Sequence, residues 1–508
     1  MISKVSEMKK ETMRGEYILM ALTQHSLNGD AYVQTDEVYA ISKRVKPKIG
    51  YAEFQEDFRH LVREGWLRRE GSRVYLKDTL RYEESAAKSL ADILRSNEMV
   101  CPSLPDVITV MGELPLCDEQ MGAVRMALSS RLSIVLGGAG TGKSTLIRAI
   151  TQYTPKNGVQ VLCAPTGKAA RNLAERTGMC VRTVHSALGV TPDDDFLAPV
   201  CWSSVGLVVV DEASMMTLGM LAGILSKVSN GCRVVLLGDP NQLLSVGSGN
   251  VLPDLLKLGI PHIRLEENHR QQEGAVELLS NVVGFSSLHD GSDLAFGESF
   301  FLHCMDENRV KEAIVGEAVG RYLAGERVQV LSPYNAVTEL SVAKLNIAIR
   351  EQVNPAAPGK LSFGDQFRDG DRVIILNNDR ERNCSNGDVG VLRILRNDKK
   401  DIRFCVNLPD GRCPAWDSYG GLQNIALAYA LTVHKSQGSE YDTILMPVAE
   451  SFSNMLYRNL IYTAISRARS KVILYGSMNA LSVAIQKPAR ERRSQLVAKC
   501  GMASLMCA

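Results

Sequence analysis

The sequence has no long apolar run. No stretch reaches the ~18 consecutive residues that a membrane-spanning helix needs, and the first residues, MISKVSEMKKETMRGEY, are charged and lack an apolar core, so neither a membrane partner nor a signal peptide is expected. An excess of one charge is missing too. The 58 Lys and Arg against 56 Asp and Glu leave a net charge of +2, so a polyanion would have to be held by a local groove and not by a globally basic surface. The 12 cysteines are scattered with no C-x-x-C pair, and Cys405 and Cys413 have no accompanying His-x-x-x-His. That pattern argues against a zinc site and for free thiols in a reducing, cytoplasmic setting. There is no internal repeat and no low-complexity segment.

What is present is enough chain for several cores. At roughly 100–200 residues per domain, 508 residues predict about three or four domains. Residues 1–100 read as an N-terminal winged-helix-like domain with a linker helix. An amphipathic helix carries Phe54, Phe58, Leu61 and Val62 on one face and ends at Gly65. A hairpin then turns at Glu70-Gly71-Ser72, and RYEESAAKSLADILRS follows as a helix. This unit either binds duplex or a protein partner, or caps the next domain. From 101 to 265, short β-branched runs (LSIVLGG, VQVLCAP, VGLVVVD, CRVVLLGD) alternate with helices, as buried parallel strands do. A second α/β series occupies 266–362 and 425–480. Between them, 363–424 changes to short strands divided by Asn386-Gly387-Asp388 and Pro409-Asp410-Gly411, a small all-β insertion read as a barrel. The tail, 481–508, is basic and reads as a solvated end.

The chemistry-bearing residues lie in the first α/β series. Gly137, Gly138, Ala139, Gly140, Thr141, Gly142, Lys143, Ser144 and Thr145 fit G-x-x-x-x-G-K-[ST] at the junction of a strand and a helix. There, glycines turn backbone N–H groups toward phosphates and the helix N-terminus favours an anion. Lys143 reaches the β- and γ-phosphates, and Ser144 ligates Mg²⁺. In LVVVDEAS, Asp211 holds Mg²⁺ directly or through water, and Glu212 deprotonates the attacking water, which is most of what phosphoryl transfer requires. Asp239 ends a further strand, and Gln242 beyond it is a neutral donor able to sense a γ-phosphate. Gln120, upstream of the glycine loop, offers an amide that can pair with both edges of adenine.

The ordered set GGAGTGKST, APTGKAA, TVHSALG, VVVDEAS, LLGDPNQL, ENHRQ, LTVHKSQGSEYD and YTAISRAR resembles superfamily 1B helicases, and among them the RecD-like family, over roughly residues 105–476. The resemblance implies an α/β fold of two RecA-like, doubly wound P-loop lobes, with an SH3-like β-barrel inserted in the second and a small winged-helix-like domain in front. It implies ATP and Mg²⁺ as cofactors. The function it implies is ATP-dependent unwinding of duplex DNA by movement along a single strand in the 5′→3′ direction. The partners would be single-stranded DNA and single-strand/duplex junctions, and the chain would act as a monomer. It aims Arg270 and Arg467 at the γ-phosphate across the cleft, and brings Gly438 and Glu440 to the nucleotide, Glu440 through the ribose. It assigns Thr166, Lys168, Thr183, His185, Pro333, Asn335, Thr432, His434 and Ser436 to the strand. Hydroxyls, amides and helix ends suit phosphates and read no sequence. Between TVHSALG and VVVDEAS it implies a short pin-like hairpin near 190–203, where Phe196 or Trp202 would stack on the last base pair. Against that stand the acidic Asp193-Asp194-Asp195 and the alternative of a plain loop. A DNA-binding ATP-dependent switch without unwinding, or an RNA helicase of the same superfamily, are the rival functions.

Overall fold

The structure, a computed structural model, describes residues 13–108, 110, 115–138, 140–155, 158–190, 195–197, 202–266, 294–296, 299–379, 381–398 and 401–506. Two six-stranded sheets dominate it. The first has the order Val181–Thr183, Val159–Ala164, Val205–Val210, Arg233–Gly238, Leu132–Gly137, His262–Leu265, and every pairing is parallel. All six residues of Leu132–Gly137 and of Arg233–Gly238 are buried, as expected of strands covered on both faces. The second sheet has the order Leu294–Phe296, Phe300–Cys304, Ala468–Gly476, Tyr441–Val448, Val328–Ser332, Ala430–Thr432. It is parallel except for the antiparallel edge pair formed by its first two strands.

Neighbouring strands Val328–Ser332 and Ala430–Thr432 are separated in sequence by the all-β insertion. It forms a five-stranded antiparallel sheet ordered Ala415–Trp416, Asp401–Asn407, Val389–Asp398, Arg372–Ile375, Ile425–Leu427, with the pair Ser362–Phe363 and Phe367–Arg368 beside it. The unit encloses its own core around Phe363, Phe404 and Trp416. Its sheet continues through Leu427, three residues past the boundary read from the sequence, because Ile425–Leu427 pairs with Arg372–Ile375 before the chain returns to the lobe. The root of the insertion is stapled by the buried carboxylate of Asp371, which accepts hydrogen bonds from Asn354 Nδ2 (2.7 Å), Arg368 N (2.7 Å) and Tyr429 Oη (3.2 Å).

The N-terminal unit consists of helices Glu16–Ser26, Thr35–Val45 and Tyr51–Arg63 with a three-stranded antiparallel sheet ordered Val33–Gln34, Arg73–Leu76, Leu67–Glu70. Phe54 and Leu61 are buried, and Phe58 and Val62 pack against the same core, as the amphipathic pattern predicts. The helix Lys77–Arg95 then crosses to the first lobe and packs on Leu218–Leu225, a helix apolar all round whose eight residues are all buried. Among the described residues, no helix is long and apolar enough to cross a membrane.

The basic tail is not a solvated end. After the helix Met478–Gln486, the chain runs back across the molecule. Arg490 and the main-chain N–H of Arg493 bond the buried carboxylate of Asp30, and the Arg493 guanidinium pairs with Glu37. The helix Leu496–Met506 lies along Lys77–Arg95 with Leu496 and Cys500 in the lobe core. Glu83, fully buried, accepts from Gln495 N at 2.8 Å at the start of that helix, where its charge meets the positive end of the helix dipole. Lys499 bonds both carboxylate oxygens of Glu70 (2.8 and 2.7 Å). Arg490, Arg493 and Lys499 are thus paired with acids more than 400 positions away in sequence. Accordingly, Leu496→Ala, which leaves a hole beside a buried side chain, should lower unfolding free energy by about 2–5 kcal/mol in a denaturant titration. A change within about 0.5 kcal/mol, typical of exposed positions, would contradict the docked tail.

Candidate functional site

The loop after strand Leu132–Gly137 is shaped by two glycines in the left-handed region, Gly140 (φ +87°) and Gly142 (φ +76°), conformations that side-chain-bearing residues rarely adopt. The helix Lys143–Tyr153 starts at Gly142 without a side-chain cap, so its first-turn N–H groups face the loop. Lys143 Nζ is held 2.6 Å from the carbonyl oxygens of both Gly137 and Gly138. Thr141 Oγ1 donates to Gly138 O, and Ser144 and Thr145 sit partly exposed in the first turn. Gln120 is buried behind the loop: its Oε1 accepts from Cys117 N, and its Nε2 lies 3.5 Å from Thr141 O. Ala139 lies outside the described residues.

Three carboxylates converge on this loop. Asp211, at the end of Val205–Val210, has its pKa pushed up to about 6 by burial and by neighbouring Glu212, against the pull of Lys143. Glu212 stands at φ +53°, a left-handed backbone uncommon for a side-chain-bearing residue, and its N–H donates to Asp211 Oδ1 (2.9 Å). Asp239 is buried, and that burial raises its pKa although Lys143 and the hydroxyl of Tyr462 oppose the shift. Gln242, also buried, places Nε2 3.4 Å from Asp239 Oδ2, while its Oε1 has no protein hydrogen-bond partner. An uncapped helix N-terminus and a lysine on the loop offer donors of the kind phosphates accept from, and the adjacent acids offer oxygens of the kind a divalent cation takes.

The second lobe closes over this set from the helix Arg458–Ile465. Tyr462 Oη donates to Asp239 Oδ2 (2.8 Å) and sits so near Gly138 that an added Cβ there would lie 3.0 Å from it. Thr463 Oγ1 accepts from Leu243 N (2.8 Å), and Asn459 Nδ2 donates to the carbonyls of Pro240 and Gln242. Arg467, buried just past the helix, donates to Thr463 O and Ser466 Oγ, and its charge acts on Tyr462. Arg270 lies outside the described residues. Gly438 (φ +70°) packs against the helix Gly167–Thr177, with its carbonyl accepting from Asn172. Glu440 is an acceptor for Arg176 of the first lobe and for Arg469 Nε (3.0 Å), so in this structure its carboxylate serves an ion pair between lobes.

Residues assigned to the strand gather elsewhere. Thr166, Lys168, Thr183, His185 and His434 line one cavity of ≈ 1030 Å³, floored by the first lobe and bounded by residues 378–387 of the β insertion. Thr166 and Thr183 cap the helices Gly167–Thr177 and Val184–Leu188, accepting from Ala169 N (3.2 Å) and Ser186 N (3.1 Å). Each hydroxyl oxygen is thereby spent on its own helix, while its O–H stays available as a donor. Burial holds both His185 and His434 below the ordinary histidine pKa, so both are neutral at pH 7. Asn335 lines a second cavity of ≈ 750 Å³ that shares Lys435 with the first. Pro333 is buried just past Val328–Ser332, while in the 432–436 loop Thr432 Oγ1 accepts from Lys435 N and the fully buried Ser436 donates to Val433 O, so both of those groups shape that loop from within.

The expected pin aromatics point inward. Phe196 packs against Gly219 and Gly223, edge-on to Tyr82 (centroids 5.8 Å apart) and beside His185, and Trp202 is in the lobe core. Asp195 pairs with Arg81 (2.6 Å) on the helix from the N-terminal unit, which accounts for one of the three acids. Asp193 and Asp194 lie outside the described residues. The sequence reading missed Tyr462, Asn459 and Thr463. Only their spacing along one helix, toward the 239–243 loop, hinted at them. The left-handed Glu212 gives a direct test. Glu212→Gly and Glu212→Ala both remove the carboxylate, but only Gly relaxes at φ +53°, so the Gly variant should be the more stable by about 1 kcal/mol in chemical denaturation. Equal stabilities would show that the backbone there is unstrained.

A family model described as an AAA domain matches residues 115–284, and one described as a UvrD-like helicase C-terminal domain matches 427–475. The ATP-dependent RecD2 DNA helicase of Deinococcus radiodurans is 33% identical over 432 residues, covering 84% of this chain and 58% of that protein, so the chain spans little more than half of that relative's length. The RecBCD enzyme subunit RecD of Mycolicibacterium smegmatis is 29% identical over 433 residues, covering 76% of this chain and 75% of that subunit. A solved structure of Pif1 helicase from Bacteroides, in complex with ADP-AlF3 and ssDNA, superposes with a TM-score of 0.41 at 18% identity, over 71% of this chain and 92% of that one. With the phosphate loop in one lobe, the cross-cleft helix in the other and these relatives matching along both, the chain is related over most of its length to RecD-like helicases.

Proposed function

We propose that the chain is an ATP-dependent DNA helicase that moves 5′→3′ along a single strand. The observation that carries the reading is the helix Arg458–Ile465, which places Tyr462, Thr463 and Asn459 of one lobe on the 239–243 loop of the other beside Lys143. Lys143 and the first-turn N–H groups hold the β- and γ-phosphates. Glu212 takes a proton from the attacking water as the terminal P–O bond breaks, giving ADP and phosphate. Asp211 and Ser144 would hold Mg²⁺, which neutralises phosphate charge when bound. Arg467, and Arg270 with it, complete the pocket from the second lobe, so turnover is tied to closure of the cleft. The winged-helix-like N-terminal unit meets duplex or a protein partner, and the SH3-like insertion walls the strand cavity. Such coupling does work only because the two lobe arrangements differ in their grip on the strand.

Lys143→Ala should abolish both ATP hydrolysis and unwinding while melting as the wild type does. On matched substrates, the wild type should unwind a 5′ overhang and leave a 3′ overhang intact; the reverse preference would overturn the direction. Lys168, Arg182 and Lys435 are the cations of the strand cavity outside its Arg171–Asp388 pair. At ~0.7 counterions released per neutralised phosphate, log K for a single strand should fall with log[salt] at a slope of about −2. A slope near −6 would place the grip on a basic surface elsewhere.

A further inference from the structure

The segment 487–493 touches three bodies in succession. It leaves the second lobe with Lys487, whose carbonyl accepts from Arg458 N (2.9 Å) and whose Nζ bonds Ser453 O (2.8 Å). It then passes the first lobe, where the partly buried Arg492 guanidinium donates to Ser245 O (2.6 Å), Ser245 Oγ (3.1 Å), Gly249 O (3.1 Å) and Gly247 O (3.4 Å). It ends on the N-terminal unit, where Arg493 O accepts from Ala31 N (2.7 Å) and Asp30 holds Arg490 and Arg493. Gly29 lies under the guanidinium: at φ +102° its Cβ position would fall 2.2 Å from Arg492 Nε, and its carbonyl accepts from Gly249 N (2.9 Å).

The loop that Arg492 grips begins at the nucleotide and ends at the strand. Asp239 and Gln242 stand by Lys143, whereas Val246, 59% exposed, lines the strand cavity with His434. Main-chain bonds hold the loop at Ser248, whose carbonyl accepts from Leu218 N (2.9 Å), and at Gly249 N, and the planar fork of Arg492 adds the bonds that fix the carbonyls of Ser245 and Gly249. We propose that Arg492 is a positioning residue for ATP turnover: it fixes the 245–249 half of the loop, sets Gln242 through it, and makes that setting depend on the N-terminal unit at Gly29 and on the second lobe at Lys487. The inference rests on the helicase reading above and adds to it a residue outside both lobes' motif stretches.

The test uses the full chain and turnover stimulated by oligo-dT. Arg492→Ala should lower the strand-stimulated kcat about tenfold, the rate equivalent of one lost charge-assisted hydrogen bond, while KM for ATP stays within about twofold. Arg492→Lys, which keeps the charge but not the fork, should recover part of the loss. Gly29→Ala, which displaces the guanidinium without removing it, should reproduce the kcat loss. Loss of kcat with a matching rise in KM, a silent Gly29→Ala, or wild-type turnover in Arg492→Ala would overturn the proposal. A wild-type protein whose ATPase ignores oligo-dT would instead overturn the helicase reading, and the proposal with it.

Discussion

An irregular loop packed between two sheets cannot satisfy its own backbone. Residues 239–249 are such a loop: Asp239, Gln242, Leu243, Ser245 and Gly249 are buried, and its carbonyls and N–H groups need donors and acceptors from outside. Asn459, Thr463 and Gln437 from the second lobe supply the first half, and Arg492 supplies the second. Because an unpaired buried polar group costs about 1–3 kcal/mol, every movement of one lobe against the other must remake these bonds or forfeit them. On the proposed reading, the loop is the element through which the nucleotide and the strand cavity constrain each other.

The nucleotide side carries a second cost. Asp211, Glu212 and Asp239 crowd like charges around one lysine, and Glu212 also holds an unfavourable backbone. Such a site lowers stability where cations and phosphates have not yet balanced it, and active sites commonly concentrate strain of this kind. The surrounding structure has stability to offset it. Strands Val205–Val210, Arg233–Gly238 and Leu132–Gly137 pair side by side, the last two buried along their whole length, so the acids and the glycine loop are fixed at the ends of rigid elements and have little freedom to separate.

What the sequence disclosed follows the range of the interactions. The strands, the phosphate loop and the acidic pair announce themselves within ten residues, through β-branched runs, glycines and adjacent carboxylates, and the structure brings Gln120, Lys143, Asp211, Glu212, Asp239 and Gln242 together as that pattern implies. The tail misled for the same reason. KPARERRSQLVAK looks solvated because its partners, Asp30, Glu37, Glu70 and Glu83, lie in the first hundred residues, and no local pattern signals a pairing over such a distance. Phe196 and Trp202 were legible as aromatics but not as core. Phe196 is received by Gly219 and Gly223, one helical turn apart on a helix distant enough that no local pattern around Phe196 points to it. Ile425–Leu427 looked like the resumption of the lobe because its apolar pattern suits either sheet, and only pairing decides between them.

On the proposed reading, the strand cavity accounts for how a chain of net charge +2 would hold a polyanion, as relatives named DNA helicases suggest it does. Its lining is largely dipolar: two capping hydroxyls that accept from their own helices, histidines whose burial favours the neutral form, and few cations. Dipolar contacts to phosphate are individually weak, carry no base preference and are exchanged without releasing many counterions. A surface that must grip and release at every turnover is served by many such contacts better than by a few strong ion pairs, because the energy separating the gripped from the released state must stay within what one nucleotide can supply. Charge is instead spent between the parts of the protein, at Arg176–Glu440, Arg171–Asp388 and Arg492, where it holds the moving pieces in register with one another.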